Sequence, residues 1–350
     1  MLSSKRRASS YTISLKIKCA VAALVCASAV CIFAIAPVCG ARADGAAEYA
    51  MELTTGKVLH AKNSESRMPM ASTTKIMTAL IIIEECDFGE VITVPDEAVG
   101  VEGSSIYLKH GEKISICDLV FGLMLRSGND SAVALAVHHS GSIAAFADRM
   151  NERAEEMGLK NTHFANPSGL PDKEHYTTAS DLCVLACNAM KNVTFRRIVS
   201  ARAHEGKFRS FINKNKILSK LDGANGIKTG YTQEAGRCLV SSAERDGMDV
   251  VCVVLNCPDM YERSMRIIDG AFAEYELKTI GRDKIFMCGA TTCALDDERT
   301  FLLPRNKEFL VIVIPKTNCK TGNECCAELQ IYCENNLIFS ANLYSIDTER

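Results

Sequence analysis

Net charge is nearly absent from this chain: 40 lysines and arginines against 42 aspartates and glutamates leave a formal −2 at pH 7. No long basic run occurs in the body, so nucleic acid and acidic polymers are not expected as partners. Paired metal-ligand spacing is missing too. No C-x2-C is followed by a second one or by H-x3-H, so no metal site and no cofactor are expected. Internal repeats and low-complexity linkers are also lacking. What is there is a chain of 350 residues, 47% hydrophobic and 23% charged, which reads as globular with two domains or one large and one small.

The first 43 residues stand apart. Lys5, Arg6, Arg7, Lys16 and Lys18 precede an uncharged stretch from Cys19 to Val38, and Ala41-Arg42-Ala43 supplies a small-x-small cleavage site. This pattern predicts an export signal cleaved after Ala43, with an uncleaved anchor as the alternative because the apolar stretch is nearly long enough to span a bilayer. The body is therefore expected outside the cytoplasm. Four of the 17 cysteines fall in this segment and 13 in the body. That odd number leaves at least one thiol without an intrachain partner, and many are expected to pack as small buried hydrophobes. Six of them, Cys288, Cys293, Cys319, Cys325, Cys326 and Cys333, crowd the last part of the chain.

Two short strands about Thr54-Thr55-Gly56 predict an opening hairpin. Ile76, Ala79, Leu80 and Ile83 then mark the buried face of a helix over Ala71 to Cys86, with Ser72 near its first turn. Further helices are predicted at Ile116 to Leu125, Ser131 to His139, Ile143 to Met157 and Thr178 to Met190, with Ser127-Gly128-Asn129 in a break. From Gly226 the pattern becomes strand-like, through Lys228-Thr229-Gly230, Cys238 to Ser242 and Val250 to Leu255, followed by a helix over Tyr261 to Ile280. Runs at Phe309 to Ile314, Ala327 to Cys333 and Leu337 to Tyr344 predict a small terminal β domain. The fold class is mixed α/β of the α+β kind: an antiparallel sheet packed against a helical cluster, plus that β domain. The expected division is 1–43, 44–280 and 281–350.

Three motifs carry chemistry when taken together: Ser72-Thr73-Thr74-Lys75, Ser127-Gly128-Asn129 and Lys228-Thr229-Gly230. Serine and lysine three apart share one helix face, so the amine of Lys75 reaches the hydroxyl of Ser72. An amine with an ordinary pKa of about 10.4 is a poor base at neutral pH unless burial or a nearby cation lowers it. Lys228, on a facing strand, is the expected cation, and a helix N-terminus beneath Ser72 favours a developing oxyanion. Ser127 is suited to relaying a proton and Asn129 to holding a peptide group. Thr229 presents a hydroxyl along the strand. Gly230 leaves room for an extended peptide to dock by strand addition.

The ordered combination, with aspartate in the middle of the second motif, occurs in β-lactamases and penicillin-binding proteins. Here it resembles the low-molecular-weight D-Ala-D-Ala carboxypeptidases, serine peptidases of family S11 with a β-lactamase/transpeptidase-like domain. Thr55-Gly56-Lys57-Val58-Leu59, Ala71 to Thr78, Ser127 to Asp130, Asn166-Pro167-Ser168-Gly169-Leu170, the His175 to Asp181 stretch and Gly226 to Gly236 all look like family signatures. The resemblance implies that Ser72 attacks the carbonyl between two terminal D-alanines of a peptidoglycan stem peptide, with Lys75 as its general base. It implies that Ser127 and Asn129 assist, that Lys228 and Thr229 engage the terminal carboxylate, and that β-lactams acylate Ser72. The oxyanion hole would be the backbone N–H groups of Ser72 and Tyr231. Arg263 matches a family arginine near the carboxylate end of the site, although a plain surface role fits it as well.

A serine β-lactamase is the nearest rival. It needs a deacylating glutamate in an E-x-x-L-N setting, and Glu152, Glu155 and Glu156 read as an exposed helix face instead. A catalytically silent peptidoglycan-binding protein is a second rival, and it would be expected to have lost Ser72 or Lys75. Transpeptidation uses the same acyl-enzyme and differs only in the acceptor. Many family members end in an amphipathic helix, whereas this chain ends on Ile346-Asp347-Thr348-Glu349-Arg350 after a strand-like run, so any membrane contact is expected through the N-terminal segment.

Overall fold

The computed structural model describes residues 45–289, 291–316 and 325–346. The expected export signal and Cys319 lie outside the described residues.

Strands β1 (Ala47–Glu52) and β2 (Val58–Lys62) form the opening hairpin. Its turn closes on Glu52, whose carboxylate accepts the N–H groups of Thr54 at 3.0 Å and Thr55 at 2.6 Å, while Gly56 takes the positive φ of 69° that only glycine adopts cheaply. Strands β3 (Ala224–Thr232), β4 (Gly236–Arg245) and β5 (Met248–Leu255) form a meander. The two join in one antiparallel sheet of order β2-β1-β5-β4-β3. This leaves β3, the strand carrying Lys228, at an edge with one side open to an added strand.

Both faces of the sheet are covered. Along β5, Val251, Val253 and Leu255 enter one core while Val250, Cys252 and Val254 enter another, as the alternation of a strand requires. The first core belongs to a helical cluster of α1 (Lys75–Glu85), α2 (Ile116–Phe121), α3 (Asn129–Ser140), α4 (Ile143–Glu156), α5 (Ala179–Lys191) and α6 (Val193–Ser200). Ser115, Ser142 and Thr178 cap α2, α4 and α5 by accepting a backbone N–H from the first turn. The second core belongs to α7 (Met260–Glu274), which packs on β4 and β5.

The predicted helix over Tyr261 to Ile280 is too long. It stops at Glu274, and residues Tyr275–Ile280 form β6, paired antiparallel with β9 (Arg299–Pro304). The physical reason is tertiary: Leu277 sits opposite Leu302, and both join the core beneath α7. The rest of the terminal part is a five-stranded antiparallel sheet made of β7 (Phe286–Cys288), β8 (Thr291–Leu295), β10 (Phe309–Pro315), β11 (Cys325–Cys333) and β12 (Asn336–Ser345), in the order β7-β8-β12-β11-β10. An antiparallel sheet against a helical cluster with a β-rich terminal part is the architecture expected from the sequence.

Cys183, Cys187, Cys238, Cys252, Cys257 and Cys333 are buried free thiols, while Cys326 is disulfide-bonded. Among the described residues no helix is long and apolar enough to cross a membrane.

Candidate active site

The chain enters α1 through a tight 3-10 turn, Ala71–Thr74, which puts Ser72 half-exposed at the mouth and Lys75 fully buried just inside. Ala71 has φ 48°, a left-handed conformation that costs a residue with a Cβ on the order of 1–2 kcal/mol. Two side chains fasten the turn: Thr73 Oγ1 donates to the Met70 carbonyl at 2.6 Å and Thr74 Oγ1 to the Ala71 carbonyl at 2.8 Å. Strain held by surrounding bonds is what a site that must aim one side chain requires.

Lys75 Nζ has three hydrogen-bond partners. It bonds Ser72 Oγ at 2.9 Å, Asn129 Oδ1 at 2.7 Å and the Ser168 carbonyl. No carboxylate forms an ion pair with it among the described residues. Burial holds its pKa well below the ordinary lysine value, and the positive charge of Lys228 pushes the same way, against a smaller opposing pull from Asp130. Both effects favour the neutral amine, the form that can accept the Ser72 proton.

Lys228 comes from β3, opposite Val240, and is almost completely buried. Burial first, and then the charge of Lys214, brings its pKa down to about 7. Its Nζ donates to the Thr229 carbonyl at 2.9 Å. A Cβ on Gly230 would lie 3.1 Å from both the Ser72 nitrogen and the Met70 oxygen. The missing side chain thus lets the strand press against the Ser72 turn, a tighter reason than room for substrate alone. Thr229 is half-buried beside it and Tyr231 is 65% exposed.

Ser127 follows a π-helical turn, Gly122–Arg126, and takes φ 65° and ψ 33°, which swings the chain into α3. Asn129, at the first position of α3, offers Oδ1 to Lys75 and donates Nδ2–H to the Glu102 carbonyl at 2.6 Å. Among the described residues no partner of its second amide hydrogen is found, which leaves that hydrogen for a ligand. Asp130 anchors the facing loop. Its carboxylate accepts from Ser105 Oγ at 2.6 Å and from the backbone N–H groups of Ile106 and Leu108, and an acid in the first turn also suits the helix dipole.

Arg263 is not brought to this group. Its guanidinium lies 3.7 Å from Glu48, a buried carboxylate that also bonds His60 at 2.8 Å. Glu48 is on β1, three strands from β3 in the sheet order, roughly 14 Å at the usual strand spacing. A neighbouring acid behind the sheet has claimed the cation.

Sequence reasoning gave no role to the loop that floors the site. Asn166 Oδ1 accepts the N–H groups of Ser168, Gly169 and Leu170, and Thr78 Oγ1 holds the Pro167 carbonyl at 2.7 Å, which aims the Ser168 carbonyl at Lys75. Gly169 takes φ 84°, and a Cβ there would sit 1.9 Å from the Ala71 oxygen. His175, on the same stretch, meets Thr74 Oγ1 at 2.7 Å. The only signal was that Asn166 to Leu170 and His175 to Asp181 stood out as short motifs. The glutamates of α4 are elsewhere: Glu152 and Glu156 pair with Arg149 on the outer surface, so neither supplies the carboxylate of the β-lactamase rival.

Residues 39–259 match the family described as D-alanyl-D-alanine carboxypeptidase, Peptidase_S11. The chain is 37% identical over 239 residues to D-alanyl-D-alanine carboxypeptidase DacF of Bacillus subtilis, covering 65% of this chain and 61% of that relative's own length. It is 36% identical over 250 residues to a D-alanyl-D-alanine carboxypeptidase of a Streptomyces species, covering 64% of this chain and 86% of that protein. Among solved structures it superposes on the D-alanyl-D-alanine carboxypeptidase DacD of Francisella tularensis with a TM-score of 0.71 at 26% identity, over 88% of this chain and 94% of the other.

Proposed function

The chain belongs to the D-alanyl-D-alanine carboxypeptidase family, and from that premise we propose that it is an exported serine peptidase that removes the terminal D-alanine from peptidoglycan stem peptides through an acyl-enzyme on Ser72. The observation that carries this reading is the contact of a buried, carboxylate-free Lys75 amine with Ser72 Oγ at 2.9 Å.

Neutral Lys75 takes the Ser72 proton as Oγ attacks the carbonyl carbon between the two D-alanines. The oxyanion is held by the N–H groups of Ser72 and Tyr231, with Gly230 keeping the two backbones close. As the C–N bond breaks, the proton passes from Lys75 through Ser127 Oγ to the leaving nitrogen, and D-alanine departs. Water then adds to the ester, giving its proton to Lys75, and collapse returns a proton to Ser72. Lys228 and Thr229 hold the terminal carboxylate, and the free amide hydrogen of Asn129 holds a substrate carbonyl. Penicillin enters by the first step, and its ring keeps the leaving amine tethered.

The catalytic part is residues 44 to 280 and the β-rich part 281 to 350, with β6 shared because it leaves α7 and pairs with β9. Residues 1 to 43 act as the export signal or, if retained, as the contact with the outer face of the cytoplasmic membrane.

The test is release of D-alanine from a peptide ending in D-Ala-D-Ala, together with labelling by fluorescent penicillin. A long-lived label and peptide turnover, both lost in Ser72→Ala, are expected. Undiminished D-alanine release by Ser72→Ala refutes the nucleophile, and rapid penicillin turnover without peptide cleavage refutes the substrate.

A further inference from the structure

His175 is buried beneath the Ser72 turn, and its two ring nitrogens have different partners. The backbone N–H of Ala165 donates to Nδ1 at 3.0 Å, so Nδ1 is the unprotonated nitrogen and Nε2 carries the hydrogen. That Nε2–H donates to Thr74 Oγ1 at 2.7 Å, and the Thr74 hydroxyl in turn donates to the Ala71 carbonyl at 2.8 Å. Each group donates once and accepts once, so the direction of the chain is fixed from Ala165 to Ala71. Its last acceptor belongs to the left-handed residue directly before Ser72. The Phe164 ring meets the imidazole edge to face at 5.8 Å and fixes its plane.

The stretch that carries His175 also holds the other partner in proton transfer. Ser168, seven residues earlier, turns its carbonyl on Lys75 Nζ, and Gly169 packs against the same Ala71 carbonyl that Thr74 bonds. Residues 165 to 175 therefore touch both the backbone that aims Ser72 and the amine that takes its proton.

We propose that His175 is a positioning residue for acylation, which acts through Thr74 and the Ala71 carbonyl to hold Ser72 Oγ in line with Lys75. This rests on the serine acyl-enzyme reading above. The group touches no reacting atom, so its loss slows formation of the acyl bond while leaving ground-state affinity for the peptide nearly unchanged.

The experiment measures the acylation rate of the full chain by fluorescent penicillin, with kcat and KM on a D-Ala-D-Ala peptide and thermal midpoints alongside, for Thr74→Val, His175→Phe, the double variant and His175→Gln. Each of the first two is expected to lower acylation about 10- to 100-fold, the range for one misplaced buried hydrogen bond, through kcat and not KM. The double variant is expected to be no slower than the slower single, because both break one chain. His175→Gln, which keeps a donor and an acceptor, is expected to recover part of the rate. Acylation within twofold of the unaltered protein in Thr74→Val, or a double variant slower by the product of the singles, overturns the proposal. Thr74→Val, nearly the same in volume, keeps the test decisive should His175→Phe fail to fold. An unaltered protein that takes no penicillin label overturns the serine reading instead, so the two failures are distinguishable.

Discussion

The two ends of helix α1 treat charge in opposite ways. At its start, Lys75 is buried with neutral partners only, facing a second buried amine, Lys228. Ten residues on, Glu84 and Glu85 sit at the surface where the helix dipole disfavours them. Their charge is met by Arg153 at 2.8 Å and by Arg149 at 2.7 Å, with His139 at 2.9 Å from Glu85. Pairing lowers the Glu85 pKa, keeping it an anion, whereas burial without a counter-ion lowers that of Lys75, freeing it to act as a base. The same helix thus has a stabilising end and a reactive one, and the difference lies in whether an opposite charge is within reach.

Removing the reactive charge should have the largest effect. Lys75→Met is expected to reduce penicillin acylation at least about 1000-fold while the thermal midpoint stays level or rises, since an apolar group of similar length replaces a buried amine. A fall in midpoint with activity retained would reverse the contrast between the two ends.

Lys228→Ala should act on binding. KM for a free-carboxylate peptide is expected to rise about 10- to 100-fold, the scale of a lost charge-assisted hydrogen bond. In the unaltered protein KM is expected to climb as pH passes upward through about 7, where Lys228 loses its charge. A KM flat from pH 6 to 9 would remove that role.

A third test concerns His175, whose pKa burial depresses to about 4. The unfolded chain takes up this proton first, near its ordinary value, so the neutral imidazole's contribution is complete above about pH 6.5 and is lost as pH falls toward 4. The loss is about 3 kcal/mol, read as the difference in urea unfolding free energy between pH 7 and pH 4. His175→Gln should flatten that dependence.

The smallest effect belongs to the paired end of the helix. Arg149→Ala is expected to cost about 1 kcal/mol of stability, less in high salt, with acylation unchanged. An acylation defect there would mean that the two ends of α1 are coupled.

Most of the site was legible because its residues cluster in short stretches with fixed helical or strand offsets. Ser72 and Lys75 share a helix face, and Lys228 to Tyr231 share a strand. Arg263 was left between two readings because sequence position says nothing of which carboxylate a cation will meet, and Glu48, its partner in the fold, lies more than two hundred residues away in the chain. The helix predicted through Ile280 failed for a related reason: its apolar pattern to Glu274 is genuine, but Leu277 finds Leu302 across a strand pair that no local window contains. Three strands of the terminal part, β7, β8 and β9, were also missed, being short and weakly alternating.

By itself the sequence determined the order of most elements up to Glu274, the exported character expected of the body, and which serine, lysines and asparagine are candidates for the chemistry, because these depend on composition and on spacing within one helix or strand. Only the tertiary structure decided that Lys75 has no anion beside it, that Arg263 faces away, and that the loop from Asn166 to His175 floors the site. Those outcomes depend on which distant segments are packed into the same low-dielectric space, and burial together with the nearest charge sets what each group does there.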